Sequence, residues 1–99
     1  MFNRKHSREI EDFAIALAGD LAERCPAAEA YESDHISMRL ARAIDEAFAK
    51  ASAYQREHRL WMYGRAKLGT AFKLELKQRG YPGELVDSLT RQLLFKMSA

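Results

Sequence analysis

Four side chains in this sequence could bind a metal or act as a nucleophile: Cys25, His6, His35 and His58. None lies three or four residues from another, the spacing that places two ligands on one helix face, and no His-Glu-x-x-His pattern occurs. Cys25 would need a base beside it to act as a nucleophile, and a small buried thiol is the ordinary state of a single cysteine. We therefore expect no metal site and no catalytic cysteine.

The segment 64–70, Gly-Arg-Ala-Lys-Leu-Gly-Thr, has the two glycines and the threonine of a phosphate-binding loop. It lacks the lysine that should follow the second glycine, and a helical pattern precedes it where a strand is required. Small residues that permit a bend or a tight helix crossing explain this segment better than a nucleotide site does.

Two pairs of carboxylates, Glu9 with Asp12 and Asp45 with Glu46, could in principle share a proton. They fall on polar helix faces, and a chain of 99 residues is too small to bury them. General acid and base catalysis needs carboxyl groups whose environment shifts their pKa. We therefore predict that the protein is not an enzyme, uses no cofactor and takes no small-molecule substrate.

The strongest indication of function is the stretch 54–79, which interleaves cationic and aromatic side chains. The candidate binding residues are Arg56, Arg59, Trp61, Tyr63, Arg65, Lys67, Lys73 and Lys77. Cationic groups attract phosphates, and an exposed aromatic ring can stack on a base or enter a pocket of a partner protein. The ordinary alternative is that Trp61 belongs to the core and that the lysines only keep the surface soluble.

On a helix over 65–79, basic and apolar residues separate into two lines at four-residue steps. The basic line consists of Arg65, Gly69, Lys73 and Lys77, and the apolar line of Leu68, Phe72 and Leu76. We expect the basic line to be exposed and the apolar line to be buried.

A helix-turn-helix centred on Gly80 has the required spacing of apolar positions. Two features oppose this interpretation. Arg79 would occupy a normally buried position, and the second helix would present Glu84 and Asp87 to the DNA groove. If DNA is bound, the helix over 65–79 is the better candidate.

The net charge of +2 conceals an uneven distribution along the chain. Residues 9–49 hold ten acidic and three basic groups, whereas residues 50–79 hold two acidic and eight basic groups. This charge distribution favours self-association, because the acidic half of one copy could pair with the basic half of a second, antiparallel copy.

The composition also limits the compartment. A single cysteine excludes an internal disulfide, and no apolar run approaches the roughly 20 residues that span a bilayer. At the N-terminus, basic Arg4, Lys5 and Arg8 are followed at once by acidic Glu9, Glu11 and Asp12, which fits neither a secretory signal nor a transit peptide. We predict a cytoplasmic protein with no membrane partner.

Only two prolines and five glycines occur, which favours helices almost throughout. The first helix is expected from its N-cap Ser7 to Arg24, because Pro26 cannot continue it. Its apolar face consists of Ile10, Phe13, Ala14, Leu17, Ala18, Leu21 and Cys25. The last helix is expected over 82–97, after Gly80 ends the preceding one. Its apolar face consists of Leu85, Val86, Leu89, Leu93, Leu94 and Met97.

Between these two helices the apolar residues keep one helical spacing for longer than anywhere else, after a cap at Ser33 or Asp34. The face consists of Ile36, Leu40, Ile44, Ala47, Phe48, Ala51, Tyr54, His58, Trp61 and Met62, and resumes past Gly64 with Leu68, Phe72 and Leu76. An unbroken helix over 36–79 would be about 66 Å long. A domain of about 100 residues has a diameter of roughly 30 to 35 Å. The long helix must therefore bend, or a second copy must cover it.

The predicted fold is all-α: a single domain over residues 1–99, a bundle of three to four helices with a long central helix bent or broken near Gly64. Glycine favours this break because it costs about 1 kcal/mol relative to alanine inside a helix. The predicted function is that of a small non-enzymatic binding module, a regulator, adaptor or inhibitor that acts through protein-protein contacts as a homodimer. The alternative is a nucleic-acid-binding protein that uses the stretch 54–79 on DNA or RNA.

Overall fold

The computed structural model describes residues 4–98. These residues form four α-helices: α1 (Arg4–Arg24), α2 (Met38–Glu57), α3 (Met62–Gln78) and α4 (Gly83–Ser98). Between α1 and α2 lie a 3-10 helix (Ala27–Glu29) and a short antiparallel hairpin of β1 (Tyr31–Glu32) and β2 (His35–Ile36). The prediction of an all-α bundle of three to four helices is confirmed, whereas the sequence patterns did not predict the hairpin.

The start of α2 is set by Ser37, whose Oγ accepts a hydrogen bond from the Leu40 backbone N at 3.1 Å. The expected caps Ser33 and Asp34 are wrong, because these residues form the two-residue turn of the hairpin. The expected cap of the first helix, Ser7, is also wrong, since it lies inside α1.

Gly80 follows the end of α3 as the predicted terminating glycine, with a φ of +91°. Its backbone N donates to the Lys77 carbonyl at 3.1 Å, and the Tyr81 backbone N donates to the Leu76 carbonyl at 3.3 Å. These are the two hydrogen bonds of a Schellman motif. The predicted turn between the last two helices is therefore confirmed, and α4 begins one residue later than expected.

The long central helix is broken over residues 58–61, close to Gly64 as predicted. The glycine is not the cause, because Gly64 lies inside α3 and the chain reverses at Arg59, which has a φ of +51°. The described chain extends 47 × 25 × 20 Å, enough to accommodate an α2 about 30 Å long. Since α3 turns back onto α1, no second copy is needed to cover an overlong helix.

Ion pairs show that α1 and α2 are antiparallel. Lys50 Nζ lies 3.1 Å from Asp20 Oδ2, and the Arg24 guanidinium pairs with the Glu46 carboxylate. Both pairs join a cation to a carboxylate on the neighbouring helix. Part of the charge complementarity that the sequence suggested between two copies is therefore satisfied within one chain.

The third helix packs alongside α1 in the same direction. Lys67 Nζ lies 3.6 Å from Glu11 Oε2 near the start of both helices, and a Cβ on Gly19 would lie 3.2 Å from the Arg79 guanidinium near their ends. The fourth helix then returns antiparallel to α3 and packs on both α2 and α3. Each of α1 and α4 therefore contacts α2 and α3, and the core lies among the four helices.

The apolar faces predicted for α1 and α4 and the line on α3 form this core. It contains the buried hydrophobic residues of these three helices and Cys25, which directly follows α1: Ile10, Ala14, Leu17, Ala18, Leu21, Ala22, Cys25, Leu68, Phe72, Leu76, Leu85, Val86, Leu89, Leu93 and Met97. Phe13 and Leu94 are partly buried at its edge. From α2 the core receives Leu40, Ala43, Ile44, Ala47, Phe48 and Ala51. Helical spacing therefore identified most of the interior before the neighbours of each helix were known, but Ile36, predicted for the face of α2, is exposed in β2.

Candidate binding corner between α2 and α3

The connection from α2 to α3 closes with the hydrogen bonds of a Schellman motif that has arginine where glycine is usual. The Leu60 backbone N donates to the Gln55 carbonyl at 2.9 Å, and the Arg59 backbone N donates to the Arg56 carbonyl at 3.4 Å. Leu60 and Gln55 are both buried, so the turn is anchored in the core. The residues that follow it are therefore held on a fixed backbone.

Trp61, Met62 and Tyr63 project into solvent from this turn. Trp61 and Met62 are each 83% exposed, and Tyr63 is 60% exposed. In this first turn of α3, it is Gly64 that faces the core, with its Cα so close to Leu60 that a Cβ would lie 3.3 Å from Leu60 Cδ2. The three large side chains before Gly64 lie on the outer side of the helix start.

The expectation that Trp61, Met62 and His58 belong to a buried apolar face is wrong. It extended the helical frame of α2 through residues 58–61, where the backbone leaves the helix. The break rotates the frame, so α3 begins with a different register. All three side chains are exposed as a result.

Five of the predicted binding residues lie in this connection or within a few residues of it: Arg56, Arg59, Trp61, Tyr63 and Arg65. With Met62 they form what we call the α2–α3 corner. Arg56 and Arg59 are exposed, and Arg65 is half-buried. The exposed carboxylate of Glu57 lies among them in the chain, so cations and an anion share this surface.

The other three predicted residues do not join the corner. Lys67 pairs with Glu11 on α1, and Lys73 Nζ lies 3.3 Å from Asp87 Oδ1 on α4. Lys77 is exposed, but it lies about 18 Å from Arg65 along the axis of α3.

The predicted basic line on α3 is therefore not a continuous exposed strip. Gly69, at its centre, is buried, and a Cβ there would lie 3.0 Å from Leu94 Cδ2 of α4. Together with the pairing of Lys73 to Asp87, this contact places the line along the seam between α3 and α4. Packing of α4 on α3, which the sequence could not orient, explains the difference.

An aromatic stack that sequence reasoning did not identify supports the end of α2. The Phe13 and Tyr54 ring centroids lie 3.8 Å apart with nearly parallel planes, and the His58 ring lies 4.1 Å from the Tyr54 ring. Burial raises the pKa of Tyr54, and the negative charges of Glu9 and Glu57 raise it further. Phe13 lies on the predicted apolar face of α1, but only the antiparallel packing of α2 brings Tyr54 to it.

Comparisons of the chain with protein-family models, curated proteins and solved structures found no match. Within residues 4–98, no helix combines the length and the hydropathy needed to cross a bilayer.

The residues able to do chemistry are dispersed. Residues 4–98 contain no group of three His, Cys, Asp or Glu side chains placed to hold a metal ion. Cys25 is buried, and its thiol lies 3.4 Å from the Glu29 carbonyl and 3.6 Å from Ser37 Oγ. Its backbone carbonyl accepts a hydrogen bond from the Tyr81 hydroxyl. Cys25 thus connects the end of α1 to the 3-10 helix, to the start of α2 and to the turn before α4.

Proposed function

We propose that this protein is a non-enzymatic binding module, a regulator, adaptor or inhibitor, that inserts side chains of the α2–α3 corner into a pocket of a partner protein. The observation that carries this proposal is the 83% exposure of both Trp61 and Met62 on an anchored turn. Burying one large apolar side chain contributes a free energy of about 1.5–3 kcal/mol. The isolated chain leaves two such side chains exposed at adjacent positions. Single exposed apolar residues are ordinary, whereas a contiguous group of them is typical of an interaction site.

The chemistry of the corner resembles that of residues that dominate protein interfaces. Trp, Tyr, Met and Arg are enriched in interfaces, and Trp, Tyr and Arg in the small set of residues that contribute most of the binding energy. The Schellman hydrogen bonds fix the backbone beneath them. A surface that is already ordered loses less conformational entropy when it binds, which favours affinity.

A protein partner fits this surface better than a nucleic acid because the cations are mixed with carboxylates. Glu57 directly follows Arg56 in the chain, and Lys67, the next cation after the corner, pairs with Glu11 on α1. Nucleic-acid binding depends on several cations that face the phosphates together. Binding to DNA or RNA is the second candidate, since the exposed Arg56 and Arg59 closely precede an exposed indole that could stack on a base.

The proposal is tested by affinity capture from cells that express the protein, with wild type compared with a double variant, Trp61→Ala/Tyr63→Ala. A matched control is Leu74→Ala, because Leu74 is a 54% exposed apolar residue of α3 outside the corner. We expect a discrete protein to be captured by wild type and the control and to be lost with the double variant. Capture that is equal for all three proteins would contradict the proposal.

The nucleic-acid alternative is tested separately by anisotropy titration with duplex and single-stranded oligonucleotides at low and moderate salt. Phosphate contacts would give affinity that falls steeply with salt. Trp61 is the only tryptophan, so stacking on a base would also quench the intrinsic fluorescence. We expect neither effect, and the appearance of both would favour the nucleic-acid function.

A further inference from the structure

A second surface, separate from the α2–α3 corner, lies between α2 and α4. It is a groove of about 500 Å³ whose lining includes Ile44 and Phe48 of α2 and Phe95 of α4. Ile44 and Phe48 are buried beneath it, whereas Phe95 is 78% exposed at its side. The groove therefore combines an apolar floor with a projecting aromatic side chain, and it shares no residue with the corner.

The charges around the groove are divided between its two helices. Asp45 lines the α2 side, and Arg91 and Lys96 line the α4 side. A foreign helix of one charge would meet a like charge on one of these sides. A second copy related by a two-fold axis parallel to the groove would instead place α2 opposite α4, and each Asp45 opposite the cations of the other copy.

We propose that a second copy of this chain occupies the groove, with Phe95 of each copy inserted between α2 and α4 of the other. A two-fold interface uses the same patch on both subunits, so the patch must contain both the projection and the recess that receives it. The groove has both on one face. Charge complementarity between Asp45 and the pair of Arg91 and Lys96 reinforces the same arrangement.

The α2 side of the groove permits close approach. On the groove side of Asp45, helical spacing places Ala41 and Ser52, which are small, whereas the larger Met38 and Arg42 lie on its far side. Small side chains let a second helix come near, while Phe95 supplies the large apolar contact, since a phenylalanine buries about 150 to 250 Å².

The size of the face sets the expected affinity. The 16 residues of α4 span about 24 Å, and two adjacent helices are about 20 Å wide, so the face covers about 500 Å² per copy. A standard interface buries about 800 Å² per partner. The dimer is therefore expected to be weak, with dissociation in the micromolar range. This inference goes beyond the proposed function: the dimer would leave both corners exposed and present two of them to a partner.

The test is the molar mass in solution, measured by sedimentation equilibrium from about 1 to 200 μM. The apparent molar mass of the wild-type protein is expected to rise with concentration from the chain mass of 11.3 kDa towards twice that value. Phe95→Glu should remain a monomer throughout, because it places a carboxylate in the apolar contact. Leu74→Glu is the matched control, since it adds the same charge at an exposed leucine outside the groove, and it should associate like wild type.

A charge exchange tests the orientation of the two copies. Asp45→Arg alone should abolish association, because three cations would then face three cations. The triple variant Asp45→Arg/Arg91→Asp/Lys96→Asp reverses every sign and should restore association. Circular dichroism of each variant verifies that the helices are intact.

A wild-type protein that stays at 11.3 kDa at 200 μM would overturn the proposal. A dimer that persists in Phe95→Glu would overturn it as well, because association would then use another surface. Neither result bears on capture of a partner through Trp61 and Tyr63, so failure of the dimer is distinguishable from failure of the proposed function.

Discussion

The Tyr81 hydroxyl donates a hydrogen bond to the backbone carbonyl of Cys25, which ties the turn before α4 to the end of α1. Both residues are buried, and 56 positions separate them in the sequence. The contact therefore joins the first helix to the last part of the bundle.

Replacing Tyr81 with Phe should destabilise the fold by about 1–3 kcal/mol, because the Cys25 carbonyl is left buried without its donor. The measurement is urea denaturation followed by circular dichroism. Tyr31→Phe is the control, since Tyr31 is 43% exposed, and it should change the free energy of unfolding by less than about 0.5 kcal/mol. Equal stability of Tyr81→Phe and wild type would show that the hydrogen bond contributes nothing.

The same hydroxyl should make stability depend on alkaline pH. Burial raises the pKa of Tyr81 to about 12, with a smaller contribution from Cys25. In the unfolded chain the pKa of a tyrosine is about 10. Between pH 10 and pH 12 the unfolded state therefore binds fewer protons than the folded state, and the free energy of unfolding falls as pH rises. The stability difference between wild type and Tyr81→Phe should be complete below pH 10, about the pKa in the unfolded chain, and should shrink towards pH 12. A difference that stays constant over this range would contradict the assignment.

Arg59 should be replaceable by glycine with a gain in stability. Its φ of +51° lies in the left-handed region, which costs a residue with a side chain roughly 1–2 kcal/mol. Glycine avoids that cost but loses more entropy on folding, so we expect Arg59→Gly to stabilise the protein by about 0.5–1 kcal/mol. Arg56→Gly, inside α2, should instead destabilise it by about 1 kcal/mol. Thermal denaturation of the two variants should shift the midpoint in opposite directions.

Ser37→Ala should cost about 0.5–2 kcal/mol because it removes the side-chain cap of α2. Asp34→Ala should cost much less, since Asp34 lies in the hairpin turn, away from the helix start. Chemical denaturation of both against wild type measures what the Ser37 hydroxyl contributes through the cap and through its 3.6 Å contact with the Cys25 thiol. A larger loss from Asp34→Ala would place the cap where the sequence first suggested it.

Trp61→Ala should leave the free energy of unfolding within about 0.5 kcal/mol of wild type, because the side chain is 83% exposed. Phe72→Ala should cost about 3–5 kcal/mol, since Phe72 is fully buried beside Leu68 and Leu76 in the core. Urea denaturation of both proteins distinguishes a residue that contributes little to the stability of the fold from one that holds it together. A large loss of stability in Trp61→Ala would indicate that Trp61 packs against the protein.

Sequence spacing predicted the interior of the helices but not the reversal between α2 and α3. The faces of α1 and α4 follow from periodicity alone, which does not depend on the neighbouring helix. The reversal occurs at Arg59, where the usual sign would be a glycine such as Gly80. The break was predicted near Gly64 because glycine disfavours a helix. In the structure this glycine lies within α3 and lets Leu60 pack closely against that helix.

The candidate site was predicted by residue type, and only in part by position. The exposure of Trp61 depends on the helical register of α3. The sequence prediction assumed that the register of α2 continued through the break, so it placed Trp61 in the core. The pairing of Lys67 with Glu11 and of Lys73 with Asp87 depends on which helices are neighbours. Such contacts between distant residues require the topology, which helical spacing does not specify.

The most direct test of the α2–α3 corner as a binding surface is photo-crosslinking in the native cell. A benzophenone amino acid replaces Trp61 in one protein and Leu74 in another, since both positions are exposed. We predict that the probe at position 61 yields a discrete crosslinked protein that the probe at position 74 does not. No product at position 61, or the same products at both positions, would contradict the account.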